Sequence, residues 1–148
     1  MKKAALAALL LLAAFWFGRQ SAPLPTDAPV PAADLPATGN AVIAEAYTRR
    51  LRDVPVQAEG RVVKLLPDDR QGSRHQRFLL DTGAGHTVLV AHNIDLAPRI
   101  DGLRRGDTVA FKGEYVWNAK GGVVHWTHRD PDGRHTGGWL LHQGRRYQ

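Results

Sequence analysis

The sequence predicts a mainly β domain, in the form of a small antiparallel barrel that follows one short helix. Residues 56–127 contain five short predicted strands, and the first, second and fourth alternate apolar and polar residues, which is the pattern of strands that bury one face. Gly60 interrupts the first stretch, and a glycine inside a strand commonly marks a bulge or a sharp bend. A bent first strand followed by short neighbours favours a small closed sheet.

The chain divides by composition into three segments. Lys2 and Lys3 precede an apolar run of 14 residues, 4–17, so that residues 1–22 have the pattern of a signal peptide or signal anchor. This run is shorter than the roughly 20 residues that span a bilayer comfortably. Residues 23–39 are rich in proline and alanine and predict a semi-rigid linker. Residues 40–148 form the predicted domain.

The N-terminal segment predicts export. The two lysines are expected to stay in the cytoplasm, which places the domain in the periplasm. Residues 18–22 are a poor cleavage site, so both a released domain and one tethered to the inner membrane by an uncleaved anchor stay open. Cysteine is absent, which excludes disulfides, thiolate metal sites and a cysteine nucleophile.

The charge of the chain is moderately positive. It is +6 overall, and from Ala41 onward 17 Lys and Arg stand against 12 Asp and Glu. Arginine supplies 14 of these 17 cations and pairs well with carboxylate or phosphate, which favours an anionic ligand. A dedicated nucleic-acid protein usually carries a denser basic patch, so nucleic acid is not the favoured partner.

The first predicted element is a short helix. Asn40 is placed to cap it, and it is expected to run to about Arg52. Ile43, Tyr47 and Leu51 recur at a spacing of four and predict one apolar face that packs on the sheet.

Five strands are predicted after the helix. Residues 67–73 between the first two are expected to be a polar loop, and residues 93–105 fit either a short helix or a loop. In the fourth strand, Lys112 and Glu114 face away from the apolar side. The predicted strands are 56–63, 74–81, 86–92, 106–117 and 123–127.

The order of these elements indicates a particular barrel. Five strands, a bent first strand and an irregular link between the third and fourth resemble the OB-fold. The phrase GLRRGDTVAFKGEY resembles the start of the fourth strand in many OB domains. The predicted fold is therefore a mainly β, OB-like antiparallel barrel with a short N-terminal helix.

Residues 121–135 are the stretch richest in chemistry, with three of the seven histidines. His128 and His135 flank a turn that contains proline and glycine, so a hairpin there would place the two imidazoles side by side with Asp130 nearby. Two imidazoles and one carboxylate suit zinc or another divalent metal. The alternative is that these histidines are packing or surface residues.

Other candidates lie at the ends of the predicted strands, where barrels place binding loops. His86 and His142 are expected to be surface residues, and Trp126 fits either a stacking platform or the core. The candidate ligand-binding residues are His75, Gln76, His92, Asn93, His125 and Trp126.

Four motifs together resemble a known family. They are SRHQRF, VAHNIDLAPRI, GEYVWN and GGVVHWTHRDPDGRH. In this combination, the chain resembles an uncharacterised bacterial domain-of-unknown-function family of short exported proteins, over roughly residues 56–147. The resemblance implies the same domain and brings no activity, substrate or cofactor with it.

Three functions stay open at this point. The first is a binding module whose histidine-rich surface holds a ligand or a metal. The second is a metal-dependent hydrolase that acts on phosphodiesters, and the third is a structural or interaction domain. We favour the binding module because the sequence does not supply a complete set of nucleophile, base and orienting group.

Overall fold

The computed structural model describes residues 36–148, which form one helix and a seven-stranded sheet. The mainly β prediction is confirmed. The predicted signal segment and residues 23–35 of the linker lie outside the described residues. Within the described residues, no helix is long and apolar enough to cross a membrane. The elements are α1 (Pro36–Thr48), β1 (Val54–Asp69), β2 (His75–Asp81), β3 (Thr87–Asn93), β4 (Thr108–Val116), β5 (Val123–His125), β6 (Trp139–His142) and β7 (Arg145–Tyr147).

The first five strands pair in a ring. The sheet order is β1-β2-β3-β5-β4-β6-β7, and β1 also pairs with β4. All neighbours are antiparallel except β3 and β5, which run parallel. The ring closes because β1 is long and changes partner at Arg61, which pairs with Thr108 of β4 and with Asp81 of β2.

Gly60 makes this change of partner sterically feasible. A Cβ atom at this position would lie 2.8 Å from the backbone oxygen of Asp81, closer than real Cβ contacts come. Any side chain here would therefore push β1 away from β2. This agrees with the bend predicted at Gly60 from the interrupted alternation.

The core lies inside the ring and follows the period of two. On β2 and β3 every second residue is buried, and β4 buries Val109, Phe111 and Tyr115 while Lys112 and Glu114 stay on the outside. Ile43 and Ala46 of α1 are buried against the same cluster. The strand faces that were predicted from alternation are thus the faces that pack.

The helix differs from its prediction at both ends. It begins at Pro36, so Asn40 lies inside it and donates its Nδ2–H to the backbone oxygen of Thr82 at 2.8 Å instead of capping the helix. It ends at Thr48, four residues before Arg52. Arg50 takes a left-handed conformation (φ 55°), and the Leu51 N–H bonds to the Ala46 oxygen, which is the Schellman ending of a helix.

The strands also differ from the prediction in two places, β1 and the C-terminal end. Residues 67–69 continue β1 instead of forming a loop. Residues 94–107 form a loop, one of the two alternatives predicted for this segment. Strands β6 and β7 were not predicted. They are only four and three residues long, which is too short for an alternating pattern to be recognised. Together they form a hairpin, and β6 pairs with residues 109–112 of β4.

One edge of β4 is divided between two partners, and this division positions the site. Residues 109–112 pair with β6, whereas residues 114–116 pair with β5. Gly113 lies at the junction, where a Cβ atom would be 2.4 Å from the His125 backbone oxygen. The loop of residues 126–138, which connects β5 to β6, leaves the sheet at this point.

Candidate functional site

Glu114 is the residue on which two histidines converge. Its Oε1 lies 3.3 Å from Nε2 of His125 at the end of β5, and its Oε2 lies 3.0 Å from Nε2 of His135 in the 126–138 loop. The Glu114 side chain is 17% exposed. A mostly buried carboxylate, next to Gly113 in β4, therefore contacts imidazoles from two separate segments.

The backbone of the 126–138 loop brings His135 to Glu114. Trp126 ends β5 with a left-handed φ of 55°. The Asp130 carboxylate then accepts N–H bonds from Asp132, Arg134 and His135 at 2.7–3.1 Å, which holds the turn closed. The Gly138 N–H donates to the His128 oxygen at 2.8 Å and closes the base of the loop.

The surroundings of His135 favour its protonated form. Its Nδ1 faces the Thr136 backbone oxygen at 2.8 Å and its Nε2 faces the Glu114 carboxylate. A backbone oxygen and a carboxylate both accept hydrogen bonds, which suits a ring that donates from both nitrogens. The hydrogen bond to Glu114 raises the pKa of His135, and the Trp126 indole, stacked at 3.9 Å and 9°, also favours a cation.

His125 shares the same carboxylate but has the opposite tendency. Burial lowers its pKa, and the nearby Glu114 only partly opposes this. Its Nε2 is buried and makes no hydrogen bond to any described residue, because the 3.3 Å contact with Glu114 is not aligned for one. Environments that push two pKa values apart are typical of acid–base sites.

A cavity of about 210 Å³ lies on the β3 side of His125. The rings of His75 and His128 have Nδ1 bonded to the backbone oxygens of Ser73 and Arg129, at 2.8 and 2.7 Å. Nδ1 therefore carries the proton in the neutral rings, and Nε2 is left with its lone pair. The cavity is lined by His75, Ala91, Asn93, Leu96, His125, Trp126 and His128.

Two predicted ligand-binding residues lie beneath this cavity and do not line it. The His92 ring is fully buried, donates from Nε2 to the Pro98 oxygen at 3.2 Å and pairs through Nδ1 with the Thr127 hydroxyl at 2.8 Å. Burial lowers its pKa to about 4. Both ends of the Gln76 amide bond to the backbone of Ile100 at 2.9 Å. These side chains hold the 94–107 loop against the sheet.

A shallower groove of about 440 Å³ continues from the cavity across the outer face of the sheet. Arg52, Arg77 and His75 provide positive or ionisable groups along it, with Asp69 as the one carboxylate among its lining residues. Its apolar lining comes from Leu89, Ala91, Val116 and Val123. The groove therefore combines a basic rim with an apolar floor.

The predicted metal trio is not gathered around one point. The Asp130 carboxylate bonds to three backbone N–H groups. His128 and His135 line different cavities, and the Trp126 indole contacts both of their rings. Among residues 36–148, no group of three or more His, Asp or Glu side chains is arranged to hold a metal ion.

Of the other candidates, Asn93, His75, His125 and Trp126 line the 210 Å³ cavity together, a convergence that the sequence did not predict. The prediction that His142 is a surface residue is wrong, because His142 is buried and pairs with Asp107 at 2.8 Å. His86 is partly exposed and stacks on Tyr47.

Sequence reasoning missed Glu114 as a site residue. The only signal was its outward-facing position on a strand whose other face is apolar. The partner of Glu114 in the sheet is His125, and that pairing follows from the register of β4 and β5.

The comparisons with known proteins describe the family and no activity. No curated protein matches the chain. The model of a family described as protein of unknown function (DUF3465) matches residues 29–148, which is most of the chain. The chain therefore belongs to the DUF3465 family.

Proposed function

We propose that this protein is an exported OB-like barrel that binds a small ligand on a surface built from histidines. The observation that carries the proposal is the convergence of His75, His125 and His128 on one cavity. His135 is joined to them through Glu114 and Trp126. A purely structural role would not require three imidazole rings around one solvent-accessible space.

The strand order supports the OB-like part of the proposal. A five-membered ring in which β1 pairs with both β2 and β4, and β3 runs parallel to β5, is what a Greek-key barrel of this kind requires. OB domains use the outer face of strands 2 and 3 for ligands. In this protein that face carries His75, Arg77 and Asn93.

The groove favours an anionic ligand with an apolar body. Arginine guanidinium groups pair bidentately with phosphate or carboxylate, and Arg52 lines the groove. Arg77 also lines it, but its guanidinium already donates to the Pro67 oxygen. The floor of Leu89, Val116 and Val123 suits an apolar or planar moiety. Nucleic acid is not favoured at this groove because the basic groups are few.

A divalent metal, zinc first, is the second ligand class that we propose for the histidine cluster. The Nδ1–H bonds of His75 and His128 to backbone oxygens are the outer contacts that orient metal-binding imidazoles. Ligation by the trio predicted from sequence, His128, His135 and Asp130, would need Asp130 to release its backbone hydrogen bonds.

Calorimetric titration of the purified protein with sodium phosphate and, separately, with zinc sulfate tests the binding proposal. We expect at least one of these to bind, and His75→Ala to weaken it about tenfold. His86→Ala is the matched control because His86 lies outside the cavity. The proposal is contradicted if neither probe binds, or if both variants weaken binding equally.

Metal retention separates the two ligand classes. If zinc is a resident ion, elemental analysis should find about one ion per chain after mild dialysis. Retention should fall as the pH drops through about 6.5, since ligation needs neutral imidazole. His75→Ala and His128→Ala, which change residues of the cavity, should each remove most of the ion, whereas a metal-free wild-type protein would leave only the anionic ligand.

Export is proposed on the N-terminal sequence alone. Fractionation of cells that express the full chain should place it in the periplasm or with the inner membrane. Recovery from the cytosol with an intact N-terminus would contradict this.

A metal-dependent phosphodiester hydrolase is the second candidate. It is favoured by the 3.3 Å contact between Nε2 of His125 and the Glu114 carboxylate, since a carboxylate that orients an imidazole is a recurring feature of hydrolytic sites. Hydrolysis of bis(p-nitrophenyl) phosphate that requires added zinc and stops with a chelator is the expected result. An absence of turnover with zinc bound would rule this candidate out.

A further inference from the structure

We propose that four arginines at one end of the barrel dock the domain onto the anionic headgroups of the membrane that holds the N-terminal segment. We call this cluster the basic rim. The proposal rests on the proposed function in one respect, because it takes the exported chain to stay tethered by residues 1–22. The basic rim consists of Arg61, Arg104, Arg105 and Arg145.

The turn before β4 lies against Arg61. The Gly106 N–H donates to the Val62 oxygen and the Val62 N–H donates to the Asp107 oxygen, both at 2.8 Å. The Arg61 guanidinium also reaches the Gly106 oxygen at 3.4 Å. Residues 104–105, which precede this contact, are therefore fixed beside β1.

The hairpin of β6 and β7 brings Arg145 to the same end of the barrel. His142 lies opposite Arg145 in the hairpin and opposite Val109 in β4. Its Nε2 bonds to the Asp107 carboxylate at 2.8 Å, and that carboxylate also accepts the Arg104 N–H at 2.9 Å. The basic rim is therefore assembled from three segments that are distant in the sequence.

The arginines of the basic rim are available to an anionic partner. All four residues are exposed, and among residues 36–148 none of their guanidinium groups lies within 4.0 Å of a carboxylate oxygen. Asp107 lies among them, but its carboxylate already accepts two hydrogen bonds. Glu59 and Asp81 line a cavity together with Arg61 and reduce the positive potential there. The other three arginines therefore carry most of the charge of the rim.

The predicted linker joins the domain next to the basic rim. The helix α1 begins at Pro36. Four residues later, Asn40 lines the same cavity as Arg61 and Thr108. The bond from Asn40 Nδ2 to the Thr82 oxygen, at 2.8 Å, holds this part of the helix on the barrel. The chain therefore enters the domain at the end that carries the basic rim.

A tether makes a weak attraction sufficient for docking. The 18 residues from 18 to 35 span at most roughly 55 Å, at about 3.1 Å per residue for an extended proline-rich chain. A domain kept within that distance meets the surface at an effective concentration on the order of millimolar. Each arginine near an anionic surface strengthens binding roughly fivefold, so that four correspond to a dissociation constant on the order of millimolar. The tethered domain can therefore dock through a small patch.

The charge of the basic rim favours lipid headgroups over a second copy of the chain. Two copies that met rim to rim would set arginines against arginines, and like charges across an interface oppose association. Guanidinium groups pair bidentately with phosphate, which anionic headgroups supply. A layer of phosphate groups also needs no pocket of matching shape.

Docking at the basic rim leaves the proposed ligand-binding cavity open. Strand β2 runs for seven residues from His75, which lines that cavity, to Asp81, which is the sheet partner of Arg61. At about 3.3 Å per residue, the cavity and the rim are separated by roughly 20 Å along the strand. In the docked domain, the cavity therefore lies away from the membrane.

The test uses the full chain in lipid nanodiscs that carry a gadolinium-chelating lipid, which broadens the NMR signals of nearby residues. In discs that contain phosphatidylglycerol, the amide signals of residues 104–106 and 143–145 should broaden more than those of residues 71–73 at the other end of the barrel. This difference should shrink in discs of phosphatidylcholine alone and at high salt, because both remove the attraction. Arg104→Gln and Arg145→Gln should each lower the docking equilibrium constant roughly fivefold.

Arg70→Gln is the matched control, because it removes an exposed arginine beside residues 71–73, and it should leave docking unchanged. The tether alone brings the rim nearer to the disc, so the dependence on lipid charge and on the arginines decides the question. Equal broadening with and without phosphatidylglycerol, or an equal loss in Arg70→Gln, overturns the proposal. Recovery of the exported domain without its N-terminal segment also overturns it and leaves export standing, whereas a cytosolic chain contradicts export as well.

Discussion

Two loops of this protein, residues 94–107 and residues 126–138, both depend on histidine, and they use it in opposite ways. Beneath the first loop, His92 is fully buried and its partners are satisfied by a neutral ring. In the second loop, the partners of His135 are acceptors and favour a charged ring. The comparison teaches that burial and partner type, rather than residue type, decide whether the neutral or the charged form of a histidine is favoured.

The largest effect should come from removing the structural histidine. His92→Ala leaves a cavity and removes the hydrogen-bond partner of the Pro98 oxygen and of the Thr127 hydroxyl. We therefore expect it to lower the free energy of unfolding by about 4 kcal/mol. His135→Ala should lower it by less than about 1 kcal/mol, because its contacts lie near the surface. Denaturant unfolding of both variants measures this difference. Similar losses of unfolding free energy in the two variants would contradict the structural role assigned to His92 alone.

The second largest effect should be a loss of folding stability in acid, caused by protonation of His92. Its pKa is about 4 in the folded protein and 6.5 in the unfolded chain, so the unfolded chain binds more protons between these values. Stability is complete above pH 6.5 and falls as the pH drops to 4, by about 3 kcal/mol from this group. Unfolding at several pH values measures the slope. The same slope in His92→Gln would show that other groups cause it.

Gln76 should matter somewhat less than His92. Gln76→Leu keeps the volume but leaves the N–H and the oxygen of Ile100 without partners, so we expect a loss of about 2 kcal/mol. The exposed Gln71→Leu is the matched control and should cost less than about 0.5 kcal/mol. Hydrogen exchange at Ile100 should accelerate in Gln76→Leu alone.

The smallest expected effects are differences between the pKa values of single histidines, and they distinguish the two loops most directly. NMR titration should show His135 losing its proton above the usual range of histidine, with His125 below it and His92 near pH 4. The pKa of His135 is raised, so its contribution to stability is present at low pH and is lost as the pH rises through that pKa. In Glu114→Gln, the pKa of His135 should move down, and an unchanged value would show that Glu114 does not hold its proton.

Local patterns predicted much of the ring of strands. Alternation identified the buried faces of β1, β2 and β4, and Gly60 indicated where β1 changes its partner strand. The same patterns could not find β6 and β7, since a strand of three or four residues is held by its neighbour in the sheet more than by its own sequence. The same patterns did not predict that β1 extends over Pro67, because pairing with β2 outweighs the turn-like composition of this segment.

The site was predicted by residue type more than by arrangement. Most of the candidates lie on or directly beneath one surface, but which of them face a cavity depends on contacts between distant segments. Gln76 and His92 occupy inward positions of β2 and β3, so they bind the 94–107 loop. Asp130 was expected to bind a metal, and in the folded loop its carboxylate instead bonds to backbone N–H groups within five residues.

By itself, the sequence determined the class of the fold, the absence of disulfides and the supply of imidazoles, because these follow from composition and from periodicity within one segment. Only the tertiary structure decided that Glu114 lies between His125 and His135. That contact depends on the register of β4 against β5 and on a loop that folds back over the junction at Gly113. Register and loop closure are properties of segments packed together, and burial and charge within that packing set the protonation state of each histidine.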